Sequence, residues 1–271
     1  MTYNRSPLVM TQHGPTRILT LNRPDRRNAL NDILVEALGA ALSDAEADRD
    51  TRAVILRGAG KSFCAGADLQ YFLDLHSRGQ APTGFLRDVS ALATRLEASR
   101  LPVIAAIHGH AVAGGLELAL ACDVVIATPT ALIGDGHVRN NLLPAGGASV
   151  RLPRKVGDSM ARWLALTGAL LPATELEHTG WLHAVVEPEH LHSAALAAAT
   201  ELAEHACPAQ SAYKTLLADL TGLDETRGLA HELDAFDAHW QTSDVPAALN
   251  DFLHGKTSTT INFHPAPTGT R

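Results

Sequence analysis

Residues 103–123, VIAAIHGHAVAGGLELALACD, constrain this chain more tightly than any other stretch. Five consecutive apolar residues from Val103 to Ile107 read as a buried strand. Gly109, Gly114 and Gly115 mark a turn, and an apolar run from about Leu116 to Cys122 reads as a short helix. The turn therefore delivers free backbone N–H groups at a helix start. Glu117 falls in the first turn of that helix, one of very few charges in an apolar run. A carboxylate buried there is costly unless it is paired or used, so Glu117 is a candidate functional group.

The same order of strand, turn and helix recurs around Leu21, Leu56 and Ile107, which marks an α/β fold. Residues 17–22 alternate as a strand does, Pro24 ends them, and helical spacing runs on through residue 48. A second strand at 53–57 ends in GAGKSF, and residues 65–75 are expected to turn into a helix. Residues 87–99 are helical by pattern, and Pro102 breaks that helix before the strand at 103. VVIAT after Asp123 is a further buried strand. The glycine-rich segment that follows has no long helix before Gly147, and a loop of that length inside a domain is more often functional than accidental. A helix at 154–168 and a short strand at 181–186 complete an expected core of residues 1–190. Four helical stretches (191–206, 209–220, 224–240 and 245–254) then form an expected C-terminal helical region, 191–271, which needs the core or another subunit to pack on.

Composition narrows the function. A net charge of −7 with 4% aromatic residues offers no basic stripe interleaved with stacking rings, so nucleic acid is not the expected partner. No run of about 18 apolar residues appears, and no membrane span is expected. The N-terminal MTYNRSPLVMTQHGP lacks the pattern of a secretory or transit segment, so a cytoplasmic location is expected. Cys64, Cys122 and Cys207 are widely spaced with no C-x-x-C pair, which reads as buried reduced thiols rather than a disulfide or zinc framework. Lysine occurs only at 61, 155, 214 and 256, so arginine has to share any binding of a polyanion.

LNRPDRRNAL, GAGKSFCAGADL, PVIAAIHGHAVAGGLELALACDVVIAT, LLPAGGASVRLPRKVG and the LTG at 166–168 resemble, in order and spacing, the enoyl-CoA hydratase/isomerase or crotonase superfamily. The resemblance covers most of residues 15–190. It implies a crotonase-like spiral of repeated ββα units and a C-terminal helical region used in trimer contacts, with trimers often paired into hexamers. It also implies an acyl-CoA thioester substrate of fatty acid metabolism, with coenzyme A as part of the substrate and no prosthetic group or metal. By the same resemblance the oxyanion donors are the backbone N–H groups of Ala67 and Gly114. Such donors stabilise a developing enolate oxygen without reorganisation.

Family members that hydrate enoyl-CoA resemble one another in carrying two glutamates twenty positions apart. The first corresponds to Glu117, whereas an ungapped comparison puts His137 at the second. Three readings of His137 stand: an acid/base partner of Glu117, a donor to a polar group on the acyl chain, or a loop histidine satisfied by Asp135. Hydro-lyase chemistry on a 2-enoyl-CoA is the leading expectation. Double-bond isomerisation and non-catalytic acyl-CoA binding are the alternatives. His108 and His110 lack zinc-type spacing, Ser149 lies in no G-x-S-x-G elbow, and Asp68 reads best as a helix-start carboxylate. For coenzyme A the resemblance points to Arg23 and Ala65, and more weakly to Lys256 for the 3′-phosphate.

Overall fold

A computed structural model describes residues 6–205 and 208–255 of the chain. The strands in chain order are β1 (Leu8–His13), β2 (Thr16–Leu21), β3 (Ala53–Gly58), β4 (Val103–Ile107), β5 (His110–Val112), β6 (Val124–Ala127), β7 (Leu132–Gly134), β8 (Leu171–Pro172) and β9 (Ala184–Val185). The helices are α1 (Asp32–Ala47), α2 (Leu69–Ser77), α3 (Thr83–Ala98), α4 (Gly114–Leu120), α5 (Ala148–Val156), α6 (Asp158–Thr167), α7 (Leu191–Glu204), α8 (Pro208–Asp219), α9 (Glu225–Thr242) and α10 (Val245–Leu253).

One six-stranded sheet runs β1-β2-β3-β4-β6-β9, parallel throughout except for β1, and a smaller sheet runs β5-β7-β8. β4 and β6 sit in the large sheet while β5 and β7, which follow them, sit in the small one. The earlier turns of the chain do the same with single residues: Leu30 bridges Ala67, and Cys64 bridges Ala111. Each turn thus lays one strand in each sheet before its helix, which is the spiral of ββα units expected from the sequence.

The apolar runs of the central strands are explained by burial on both faces. Leu19, Leu56, Ala105 and Val125 face α1, α3 and α4 in one core cluster. The alternate residues Ile18, Ile55, Ile104 and Ile126 meet Leu191, Ala195 and Ala199 of α7 in another. Burying one such side chain contributes roughly 1.5–3 kcal/mol.

The described residues divide into two compact units, one up to Ala218 and one from Asp219 onward. The boundary expected at 190/191 therefore falls inside the first unit. α7 covers the second face of the sheet. α8 is fastened by Lys214, whose Nζ donates to Asp123 Oδ2 (2.7 Å) and to the Leu101 and Leu96 carbonyls (3.0 and 3.2 Å). In the second unit, Leu229, Leu233, Phe236 and Trp240 form an exposed stripe along α9, and Leu249, Phe252 and Leu253 are exposed on α10.

Local expectations shift where backbone is needed elsewhere. The helix expected from residue 65 begins only at Leu69, because 64–68 stay extended in the two bridges and Gly66 takes φ +101°. The helix expected at 154–168 is two, α5 and α6, broken at Gly157 with φ +82°. The exposed edge strand β1 has too little apolar alternation to be read from sequence.

Candidate active site

A cavity of about 610 Å³ opens in the first unit, bounded by α2 and α3, the start of α4 and the turn after β7. Five of the residues singled out from the sequence line it together: Ala65, Ala67, Gly114, Glu117 and His137. Arg23 does not, and Lys256 lies outside the described residues.

Two unspent amide donors meet at the cavity. The Leu30 N–H donates to the Gly66 carbonyl, and the Asp68 N–H donates to the Leu30 carbonyl, both at 2.8 Å. In extended backbone the intervening residue turns the other way, so the Ala67 N–H points from the bridge toward the cavity. Gly114 is the first residue of α4, where an N–H has no intrahelical acceptor. Among the described residues neither amide donates to a protein acceptor. A Cβ built on Gly114 would lie 3.6 Å from the Ala67 nitrogen and 3.1 Å from Leu30 Cδ1, so a side chain there would fill the space between the donors. Gly115 is needed for packing, since its Cβ would meet the Cys64 carbonyl oxygen at 2.1 Å. Ala113 enters the helix with φ 51° and ψ −116°, a conformation costing a residue with a Cβ of order 1–3 kcal/mol.

Glu117, 2% exposed, projects from α4 into the same cavity. Its Oε1 accepts from the Gly146 N–H (2.7 Å) and the Ala148 N–H (3.1 Å), and Oε2 has no protein donor among the described residues. Burial pushes its carboxyl above the ordinary glutamate range. The Ala148 N–H, nearby His137 and the Gly146 N–H oppose that rise, and Asp135 adds to it. The side chain is thus held by one oxygen, with the other free of protein donors among the described residues.

His137 stands on the short 3-10 turn His137–Asn140. Its Nδ1 lies 3.0 Å from Asp135 Oδ1, which also accepts the His137 backbone N–H at 3.2 Å. Asp135 is 3% exposed, so this carboxylate has a buried commitment to one residue. With Nδ1–H donated to Asp135, Nε2 is the ring nitrogen left for the cavity. Gly136 takes φ +64° with only 2.7 Å between its would-be Cβ and Val112 Cγ1, which lets the turn close against β5. The pairing with Asp135 and the place in the cavity are thus both real, and the first orients the residue for the second.

Arg23 makes its contacts beside the cavity. Its Nη2 pairs with Asp68 Oδ2 at 2.8 Å, its Nη1 donates to the Ala29 carbonyl, and the pair ties the β2 end to the loop carrying Ala67. Asp68 therefore serves as half of a brace, with no side-chain cap on α2. Arg26, three residues on, does line the cavity. Sequence reading passed over it because RPDRRNAL offers three arginines and no pattern ranks them. Asp135 and Arg151 were also not assigned to the site. Apolar walls come from Phe72, Phe85, Leu86 and Val89, with Phe85 packed edge-on against Tyr71 and Phe72 at 5.2 and 5.9 Å.

His108 Nε2 lies 3.0 Å from the Gly60 carbonyl and His110 Nδ1 lies 3.3 Å from Ser62 Oγ; neither lines the cavity, and Ser149 is exposed on α5. Among the described residues no three His, Cys, Asp or Glu side chains are grouped to hold a metal ion, and no helix is long and apolar enough to cross a membrane. Cys64 and Cys122 are buried free thiols, each pushed up to about 12 by burial.

Two unspent N–H donors, a buried carboxylate and an oriented imidazole around one apolar cavity can hold a carbonyl oxygen while protons move beside it. Known proteins with the same plan carry matching names. The family model described as Enoyl-CoA hydratase/isomerase matches residues 15–258. A Rhizobium meliloti protein named "Probable enoyl-CoA hydratase" is 37% identical over 91% of this chain and 94% of its own length. The Escherichia coli 2,3-dehydroadipyl-CoA hydratase is 33% identical over 93% of this chain and 97% of its own. The crystal structure of an enoyl-CoA hydratase from Bacillus anthracis superposes with a TM-score of 0.85 at 31% identity, covering 93% of this chain and 97% of that one. A match of this extent in sequence and in fold leaves one assignment: the chain belongs to the enoyl-CoA hydratase/isomerase, or crotonase, family.

Proposed function

We propose that this protein is a hydro-lyase that adds water across the double bond of a 2-enoyl-CoA thioester. The observation that carries the reading is the meeting of Glu117, with one carboxylate oxygen unspent, and the free N–H groups of Ala67 and Gly114 in one cavity. The thioester oxygen accepts from Ala67 and Gly114. Glu117 takes a proton from water as the hydroxyl adds to the β carbon, and negative charge moves through the α carbon onto the thioester oxygen. The proton that Glu117 has taken up then passes to the α carbon, with Nε2 of His137, oriented by Asp135, available to relay it; this returns the electrons, restores the thioester and regenerates the Glu117 carboxylate.

Coenzyme A is part of the substrate here. Ala65 and Arg26 at the cavity are our proposed contacts to it, and Arg23 acts through the loop it braces. The setting we propose is cytoplasmic fatty acid metabolism, which suits the buried reduced thiols at Cys64 and Cys122. The exposed apolar stripes on α9 and α10 support self-association as a trimer or a pair of trimers.

One observation favours a second reading. If Asp135 keeps His137 from donating, Glu117 alone can carry a proton between carbons, which is double-bond isomerisation. A panel of 2-enoyl-CoA and 3-enoyl-CoA thioesters separates the readings. Loss of the conjugated enoyl absorbance with 2-enoyl substrates is the expected result, and its gain with 3-enoyl substrates alone would select isomerisation. Turnover of neither, with coenzyme A thioesters still bound, would leave a binding protein.

A further inference from the structure

We propose that Arg151 is a positioning residue for Glu117: by clamping the loop at Gly146 it keeps two N–H donors on Glu117 Oε1 and thereby sets the pH range in which that carboxylate works. The inference rests on Glu117 being the reacting carboxylate.

Arg151 stands in the first turns of α5 and is 9% exposed. Its Nη1 donates to the Gly146 carbonyl at 3.0 Å, while Nε and Nη2 clasp Glu97 Oε2 on α3 at 2.9 and 2.7 Å. Gly146 is therefore gripped at both ends of one residue, its N–H by Glu117 Oε1 and its carbonyl by Arg151. The loop has no slack between them. A Cβ on Gly146 would lie 2.5 Å from Glu117 Oε2, and a Cβ on Gly147 would lie 2.0 Å from Arg151 Nη1. Glycine at both positions lets a guanidinium and a carboxylate approach the same stretch of backbone from opposite sides.

Among the described residues the charged groups that act on Glu117 are Asp135 and His137, from the turn after β7. Arg151 on α5 and its partner Glu97 on α3 lie behind Gly146, and Arg26 and Asp68 line the same cavity. Glu97 neutralises the Arg151 charge at close range, so Arg151 acts on Glu117 through the geometry of the loop more than through its field. That geometry needs a planar fork whose nitrogens span two acceptors, the Gly146 carbonyl and the Glu97 carboxylate, which a lysine ammonium cannot reproduce.

The test is the pH dependence of kcat/KM for Arg151→Met, Arg151→Lys and Glu97→Gln, with Glu117→Gln beside them. Without the clamp the loop drifts, Oε1 loses its donors and the carboxyl rises further. The acid limb of the Arg151→Met profile is then expected to move up by about one pH unit. Its kcat falls about 10- to 100-fold with KM little changed. Arg151→Lys recovers only part of both effects. Glu97→Gln, whose side chain is 40% exposed and not needed to fill the core, is expected to shift the limb in the same direction by less. It decides the question alone if Arg151→Met fails to fold. An acid limb at the wild-type pH in the folded variants, with only kcat or Tm lowered, overturns the proposal. Full turnover by Glu117→Gln would instead overturn the reading of Glu117 itself.

Discussion

The two sides of the cavity hold their reactive groups by different means. Glu117 is fixed by backbone: it rises from a buried helix, and its Oε1 is held by the N–H groups of Gly146 and Ala148. His137 is fixed by a side chain, since Asp135 Oδ1 accepts from both its ring and its own N–H. A backbone donor survives almost any substitution at its own position that leaves the chain path alone. A side-chain acceptor is lost with one atom. The carboxylate side therefore depends on the path of the loop that carries Gly146 and Ala148, and the imidazole side on a single acceptor atom.

The largest expected effect comes from the carboxylate itself. Glu117→Gln keeps shape and Gly146 contacts but removes the base, and kcat is expected to fall about 10²- to 10⁴-fold while acyl-CoA binding, measured by calorimetry, persists. Because burial holds Glu117 above the ordinary glutamate range, the wild-type acid limb of kcat/KM is expected at higher pH than an exposed glutamate gives. Below that limb the base is protonated and activity is lost. A limb in the ordinary glutamate range would argue that another group is titrating.

On the other side, Asp135→Asn leaves His137 in place with its orientation loosened. A kcat loss of about 10- to 100-fold is expected, by analogy with other carboxylates that orient a histidine. Equal activity in Asp135→Asn and wild type would reduce His137 to a wall of the cavity. Arg23→Met probes the loop that carries Ala67. Loss of its contacts to Asp68 and Ala29 is expected to cost about 1–3 kcal/mol, read as a lower Tm, with the affinity for free coenzyme A unchanged. A selective loss of coenzyme A affinity would make Arg23 a cofactor contact after all. The smallest effect concerns the entry to α4: Ala113→Gly removes a Cβ from a backbone with φ 51° and is expected to raise stability by about 1 kcal/mol in denaturant melts.

What could be read from the sequence was local. The strand, glycine turn and helix at 103–123, the apolar character of the central strands and the lone carboxylate Glu117 are local signals. Ala67 and Gly114 as donors, and His137 as the position twenty residues after Glu117, are legible only through the family resemblance, and Asp135 shows only as a neighbour two residues away. The brace between Arg23 and Asp68 spans 45 residues, and the clasp between Arg151 and Glu97 spans 54. Each joins ordinary charged residues whose pairing depends on how the spiral closes, and no spacing in the chain announces it. That α7 packs within the first unit is hidden in the sequence for a related reason. The small-residue face of α7 reads as a generic helix until the isoleucines of β2, β3, β4 and β6 are seen beneath it.

The central claim is that Glu117 and His137 add water to an enoyl thioester held by Ala67 and Gly114. Its most direct test is crotonyl-CoA incubated with the enzyme in ¹⁸O- and ²H-labelled water, with the product read by mass spectrometry. One ¹⁸O at the β carbon and one ²H at the α carbon are expected, both lost in Glu117→Gln. Deuterium without ¹⁸O, or unchanged labelling in Glu117→Gln, would contradict it.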